Sequence, residues 1–503
     1  MREILRKIKT KNRVFKKAYK SLYSKKMNWR IILPKEVYMK LQDCLSNNPP
    51  NFNLNENIAL YYLSLISSVP SYKKDKIYMG GYVNLQAKKL EKVKYNYKKY
   101  FDYFVDNGII ERNNKYSNAK GKSFSKSYRY NLKELKNLTF HIFELEILKS
   151  QYEKMGLKEK NLCKKSEYLT KWFNTNLTID ADAAILEIQQ KLKHTSSKKR
   201  VTLKKAENYL RSLKNLYFQE FWAIRNSFSD NRLHTNLENM PKFYRKYVSY
   251  NGKILASIDI KNSQPFFLIV LLEMIGNREI EERNNVVSDM IKKYGVCGTM
   301  FETLSASLNS KGFQEEYGKI KYDILEGTFY DNLVEYFKLQ ETVDKDGKEI
   351  YKRRFYCKDT KTQPMYEFES KRDVIKRLVL FFLYKNNQEN IKKEDKDYLI
   401  FKDLYPNFCN VLELLKQNDK KDLPKLLQHL EANCVLDYIC KNISEKHPNI
   451  PLYTIHDSII TTEDNIQVLE AEVTQHIKDY CYGIMPTLKT EYWCERDKHQ
   501  KVA

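Results

Sequence analysis

The stretch that most limits how this chain can fold runs from Lys253 to Val270, KILASIDIKNSQPFFLIV. Ile254 to Ile258 is an apolar run of strand length that ends at Asp259. Such a strand belongs in a core, while its terminal carboxylate can face a site at the core's edge. A second apolar run, Pro265 to Ile275, follows and is broken by Glu273. No run approaches the roughly 20 apolar residues of a membrane-spanning helix, which argues against a membrane role.

With 503 residues, the chain has room for roughly two to four domains. Its hydrophobic fraction of 42%, with 38 Tyr and 24 Phe, supplies enough packing material to exclude disorder throughout and to predict a soluble folded protein. Lys and Arg number 89 against 63 Asp and Glu, a formal charge of +26 that calls for an anionic partner, nucleic acid first. A merely solvated lysine-rich surface is the alternative. The first thirty residues hold many of these cations and a single acid, Glu3, and read as a basic helical arm that binds nucleic acid. A mitochondrial presequence would be richer in Arg and Ser, so the cytoplasm is the expected location. Nine cysteines without Cys-x-x-Cys spacing or a His pair give no zinc signature, and an odd number without a framework suggests reduced thiols.

Past the proline-containing break at Asn47 to Asn55, residues 57–68 suit a helix, and Lys88 to Val105 reads as a basic, aromatic helix stopped by Asn107-Gly108. Two strand-like pieces, 109–112 and 127–131, flank a basic loop at 113–126. Helices followed by a two-stranded wing with a cationic tip resemble a winged helix-turn-helix, which implies DNA binding; a small α+β module that docks protein is the alternative. Residues 135–225 read as mainly helical, with a cationic interruption, HTSSKKR, at His194 to Arg200. Asp180 and Asp182 read as a helix start rather than a metal pair.

Two further segments carry charge at the edge of apolar elements. In LYTIHDSIIT (452–461), His456-Asp457 interrupts two β-rich runs, as at a hairpin turn. In SKRDVIKRLVLFFLY (370–384), an N-cap Ser370 and a first-turn Asp373 open a helix on which Arg372, Lys376, Leu380 and Tyr384 recur every fourth residue. Those four side chains form one gently drifting stripe, two cations and then an apolar and an aromatic group, which suits a triphosphate at one end and a sugar and base at the other. An ordinary amphipathic helix with a wet basic face is the alternative.

Taken together, these segments resemble motifs A, B and C of the family A DNA polymerases and the related single-subunit phage-type RNA polymerases. Motif A is matched at Asp259, with Gln264 where the DNA enzymes usually carry Glu. Motif B is matched at Arg372, Lys376, Leu380 and Tyr384, and motif C at His456, Asp457 and Ser458. Upstream, NRLHTNLENMP (231–241) resembles the segment that contacts the primer-template duplex, and Gln428 resembles a duplex-contacting Gln. The likeness covers residues 220–490 as short motifs in order. Lys385 stands where the family has Gly after the motif B Tyr, and the span from the first motif to the second, with an Asp346-Gly347 hairpin, is long.

The resemblance implies an α+β right-hand polymerase, its palm an antiparallel sheet with helical fingers and thumb, preceded by a winged-helix-like domain. The implied division is a basic arm over 1–50, a winged-helix-like domain over 51–135, a thumb-like helical region over 136–225, and palm and fingers over 226–503. It implies a nucleotidyltransferase adding dNTPs to a primer, with Asp259 and Asp457 holding two Mg²⁺ ions. Arg372 and Lys376 would bind the triphosphate, Lys376 would give a proton to pyrophosphate, and Leu380, Tyr384 and Gln264 would line the nucleotide site. Arg232, Asn236, Asn239, Gln428 and His456 would contact the primer-template DNA. A bulky Gln264 favours deoxynucleotides, whereas Ser458 is the residue of the RNA enzymes. RNA synthesis or priming, with RNA as a partner, and a non-catalytic DNA-binding initiator are therefore the alternatives, and a mobile-element replication protein the implied setting.

Overall fold

The computed structural model describes residues 26–72, 82–114, 125–131, 140–155, 161–193, 203–276, 299–343, 347, 349–355, 364–384, 396–417, 419 and 421–494. The architecture is mixed α+β, and its sheets are antiparallel. The chain divides into two compact units, one of residues 1–160 and 181–220, the other of 161–180 and 221–503. The boundaries drawn from sequence at 50 and 135 fall inside the first unit, and the one at 225 lies close to the change of unit after Glu220.

In the first unit, strand β1 (Lys26–Pro34) pairs with β5 (Phe140–Leu148). Residues 26–30 are thus strand rather than the end of a helical arm; residues 1–25 lie outside the described set. The cause is non-local. Arg30 stands opposite Glu144 across the ladder with a 3.1 Å ion pair, and Lys26 reaches Glu146 at 2.6 Å. Helix α1 (Lys35–Asn47) ends where the proline-containing break begins, and α2 (Glu56–Tyr72) starts after it.

Next come β2 (Val83–Asn84), α3 (Ala87–Val93), α4 (Tyr97–Asp106), β3 (Ile110–Asn113) and β4 (Ser127–Tyr130), with the strands ordered β2-β4-β3. Gly108, at φ +68°, ends this helical stretch in the left-handed conformation expected from Asn107-Gly108. Aromatic rings fill the core beneath, with Phe101 against Tyr128 at 4.5 Å and Tyr62 edge-on to Tyr100 at 5.6 Å. Most of the loop between β3 and β4 lies outside the described residues. A short helix α5 (Lys149–Lys154) follows β5, and α6 (Ala181–Lys193) and α7 (Leu203–Tyr217) complete the unit. Asp182 lies in the first turn of α6, while the cationic interruption at 194–200 is outside the described residues.

The second unit is built on a sheet ordered β14-β15-β10-β9-β6, with β16 also paired to β10. Its strands are β6 (Leu177–Ile179), β9 (Val248–Tyr250), β10 (Lys253–Ile260), β14 (Tyr453–Ile455), β15 (Ser458–Thr462) and β16 (Leu488–Tyr492). β9 and β10 form a hairpin about Asn251-Gly252, both at positive φ, the pairing that a tight two-residue turn favours. A smaller hairpin joins β7 (Ala223–Arg225) to β8 (Leu233–Thr235).

The apolar run after β10 is helix α8 (Ser263–Gly276), buried on nearly all sides. Its one interruption, Glu273, accepts hydrogen bonds from Tyr317 Oη at 2.8 Å and Lys321 Nζ at 2.5 Å, so the charge is paired. Around it pack α9 (Thr299–Leu308), α10 (Lys311–Glu326), α11 (Lys371–Tyr384), α12 (Lys396–Leu404), α13 (Pro406–Leu415), α14 (Asp422–Ala432) and α15 (Ile466–Tyr480). A three-stranded sheet, β11 (Gln340–Val343), β12 (Glu349–Arg354) and β13 (Met365–Phe368), occupies the long span between the first two motifs. Gly347, at φ +77°, sits in its first hairpin; Asp346 is outside the described residues, as is Lys385. Among the described residues no helix is long and apolar enough to cross a membrane, and the described cysteines are free thiols apart from any disulfide.

Candidate active site

β14 and β15 pair from Ile455 opposite Ser458, leaving His456 and Asp457 as a two-residue turn with His456 at φ +54°. β15 lies beside β10, with Ile258 opposite Ile459. That register brings the next pair, Asp259 and Ser458, side by side, and Ser458 Oγ donates to Asp259 Oδ1 at 2.7 Å. Asp259, on β10, and Asp457, in the turn that leads into the adjacent β15, are therefore brought close although 198 positions apart in the chain. Both are half-buried.

Their electrostatics are those of crowded anions. Burial, then the Glu431 and Asp259 carboxylates, push the Asp457 carboxyl up to about 7; its own backbone N–H and a hydrogen bond with Ser263 act in the opposite direction. Such a group gains from a cation. Among the described residues no set of three or more His, Cys, Asp and Glu side chains is spaced to hold a metal ion. Two carboxylates nevertheless fit Mg²⁺, which is commonly held by one or two protein carboxylates, water and the phosphates of a substrate.

The segment after Asp259 turns sharply. Asn262 takes φ +54°, a conformation Asn tolerates better than most residues, and starts α8. Helix α11 meets this segment at both ends of its stripe. Arg372 Nη2 donates to Asn262 Oδ1 at 3.3 Å and to Gly327 O at 3.4 Å, with Asp331 3.3 Å from its Nε. Tyr384 Oη donates to Gln264 Oε1 at 2.9 Å. Lys376 is exposed between them, and Leu380 is partly buried against the core. The opposite face buries Val374, Ile375, Leu378, Val379, Phe382 and Leu383. Ser370 caps the helix as its sequence suggests, accepting from the Asp373 backbone N–H at 3.1 Å and donating to the Asp373 carboxylate at 2.8 Å.

The residues expected on a primer-template duplex are distributed differently. Arg232 forks onto Glu431, Nε to Oε1 at 2.7 Å and Nη2 to Oε2 at 2.9 Å. Asn236 Oδ1 accepts from the Trp222 backbone N–H at 2.7 Å, and Asn239 Nδ2 donates to Thr235 O at 3.4 Å. His456 is open to solvent, its Nε2 3.6 Å from Glu238 Oε1. Gln428 is half-buried on α14. His234 lies between Glu238, 2.7 Å from Nδ1, and Asp230, 3.0 Å from Nε2. Burial lowers its pKa, but the Glu238 and Asp230 carboxylates outweigh that and leave it raised.

Sequence reasoning missed Glu431, the hub of the cluster. It is 1% exposed on α14, in the run LLQHLEANCVL. An acid whose neighbours one helical turn away include Leu427, Cys434 and Val435 is the signal that could have exposed it. Past it the helix widens into a π-helix over Asn433–Cys440, where Asp437 holds Arg225 through two bonds of 2.6 and 2.7 Å. A cavity of about 450 Å³, lined by residues that include Asp323, Glu335 and Tyr405, holds neither Asp259 nor Asp457 and adjoins the cluster only through Asp331. No protein-family model matches the chain, and no curated protein matches it.

Proposed function

We propose that this chain is a template-directed nucleic acid polymerase that adds deoxynucleotides to a primer. The observation that carries the reading is the placing of Asp259, on β10, beside the β14–β15 turn that holds Asp457, together with a helix whose cationic and aromatic stripe is anchored, at both ends, on the segment following Asp259. The finer fold of the proposal is a polymerase right hand, with the β10, β14 and β15 sheet as palm and α11 in the fingers.

In this mechanism Asp259 and Asp457 hold the divalent cations. When bound, Mg²⁺ makes the primer 3′-hydroxyl easier to ionise and offsets charge on the triphosphate. The 3′-hydroxyl gives its proton to solvent water and its oxygen forms a bond to the α-phosphorus as the bond to pyrophosphate breaks, and the site's task is to hold the two anionic reactants in line. Arg372 and the exposed Lys376 bind the phosphates, and Lys376 supplies the proton that pyrophosphate takes up. Tyr384 and Leu380 present an apolar edge to the sugar and base. The Arg232–Glu431 pair serves the site through position, and duplex contact falls to His456 and Gln428.

The first unit supports a DNA-binding role. Its helix, strand, helix, helix, strand, strand order, with strands arranged β2-β4-β3, is that of a winged helix. Lys88, Lys89, Lys92, Lys98 and Lys99 are exposed on α3 and α4, in keeping with phosphate contact.

Primer extension on a defined template with Mg²⁺, offering dNTPs and NTPs separately, tests the proposal. Extension with dNTPs by the wild type and none by Asp457→Asn is the expected result. Extension with NTPs alone would make it an RNA polymerase or primase, and no extension with either would leave a DNA-binding initiator.

A further inference from the structure

Glu431 accepts more hydrogen bonds than any ordinary buried acid needs. Oε1 takes Arg232 Nε at 2.7 Å, while Oε2 takes Arg232 Nη2 at 2.9 Å, Ser263 Oγ at 3.0 Å and Gln264 Nε2 at 2.6 Å. An ionised carboxylate offers about four acceptor positions and no donor, so the group is saturated.

The consequence falls on Gln264. Because Glu431 can only accept, the Gln264 amide must turn its N–H toward it, and a flipped amide would set two oxygens against each other. The amide oxygen is then committed to the far side, where Tyr384 Oη donates to it at 2.9 Å. Three parts of the chain are joined in one directional series. Arg232 precedes β8, Gln264 opens α8 and Tyr384 closes α11; Glu431 on α14 accepts from Arg232 and Gln264, and Gln264 in turn accepts from Tyr384. The partners are 199, 167 and 120 positions apart, so no local structure would hold them together without this series.

We propose that Glu431 is a positioning residue: by fixing the orientation of the Gln264 amide it holds the Tyr384 end of α11 over the Asp259 and Asp457 site, and so governs how tightly the incoming nucleotide is bound. The inference rests on the polymerase reading above. Glu431 touches no reacting atom in this scheme, and its loss registers in KM for the nucleotide more than in kcat.

The test exploits the directionality. Glu431→Gln removes acceptor capacity, and Gln264→Glu sets two carboxylates face to face; each is expected to raise KM about tenfold, the scale of a lost charged hydrogen bond. In Glu431→Gln with Gln264→Glu, donor and acceptor are exchanged at that one bond: the new amide donates to the new carboxylate, whose other oxygen still accepts from Tyr384, while Arg232 Nη2 and Ser263 Oγ lose their acceptor as they do in Glu431→Gln alone. KM should fall below the product of the two single effects, a coupling that independent residues do not show. A double variant at least as impaired as the product of the two single effects overturns the inference. If Glu431→Gln fails to fold, as judged by thermal unfolding, Gln264→Ala and Tyr384→Phe supply the same cycle at less buried positions. Sub-multiplicative effects on KM support the series, and multiplicative effects overturn it. Wild-type protein that extends no primer with either nucleotide set overturns the polymerase reading itself, whereas wild-type extension with uncoupled variants overturns only the role of Glu431.

Discussion

Glu431 and Asp457 are acids of the same cluster in opposite circumstances. Glu431 is sealed from solvent and saturated by Arg232, Ser263 and Gln264. Asp457 reaches solvent at a hairpin turn, and its pKa is pushed up to about 7 by burial and by Glu431 and Asp259. A protein that merely needed to neutralise its interior would treat both alike. Under the proposed function, the difference separates an acid that holds structure from one left with charge to share with a ligand.

The comparison breaks most visibly in activity. Asp457→Asn should lower the primer-extension rate by about a thousandfold or more without lowering the unfolding midpoint, because it removes the charge proposed to hold the cation and strands no partner. Arg232→Met should do the reverse. Without its guanidinium the buried Glu431 is left with neutral donors only, and denaturant unfolding should show a loss of about 3 to 5 kcal/mol.

The third effect is the dependence of stability on pH. The folded state favours the protonated form of Asp457, so its contribution is fully present below the ordinary value of 3.8 and is lost as pH rises through about 7. Without divalent cation, Asp457→Asn should therefore be the more stable protein at pH 8, by about 2 kcal/mol once solvent screening of a half-buried group is allowed for. The advantage should vanish at acid pH, and added Mg²⁺ should raise the wild-type melting temperature at pH 8 but not that of the variant.

The smallest effect concerns His234, clamped between Asp230 and Glu238 and beside the turn that carries Asp457. Its raised pKa means that its contribution is complete below 6.5 and is lost as pH rises through the folded value. His234→Gln should flatten a shallow fall in melting temperature between pH 6 and pH 8 in the wild type, read by thermal unfolding.

What could be read in the sequence was local. The strand ending at Asp259, the His456-Asp457 turn and the capped helix from Ser370 each follow from side chains within a few positions of one another, and the structure forms all three. What escaped was long-range. Residues 26–30 look like the end of a basic arm until β5 supplies a partner ladder. Arg232, expected on the duplex, makes a fork to a residue 199 positions away that no local pattern shows. Glu431 hides in a helix whose pattern is otherwise that of a core, and only tertiary packing reveals that its neighbours are donors.

The register between β10 and β15 has one more consequence. Asp259 and Asp457 are aligned by backbone bonds of adjoining strands rather than by anything in the polypeptide that separates them. Outside Gln264, α11 and Glu431, that intervening stretch is therefore open to evolutionary elaboration, and the β11–β13 sheet has the character of an accessory grafted into it. A lineage could lengthen the graft at its solvent-facing tip, where a Cβ added at Gly347 would meet no described atom within 4 Å, and acquire new surface without retuning the paired acids.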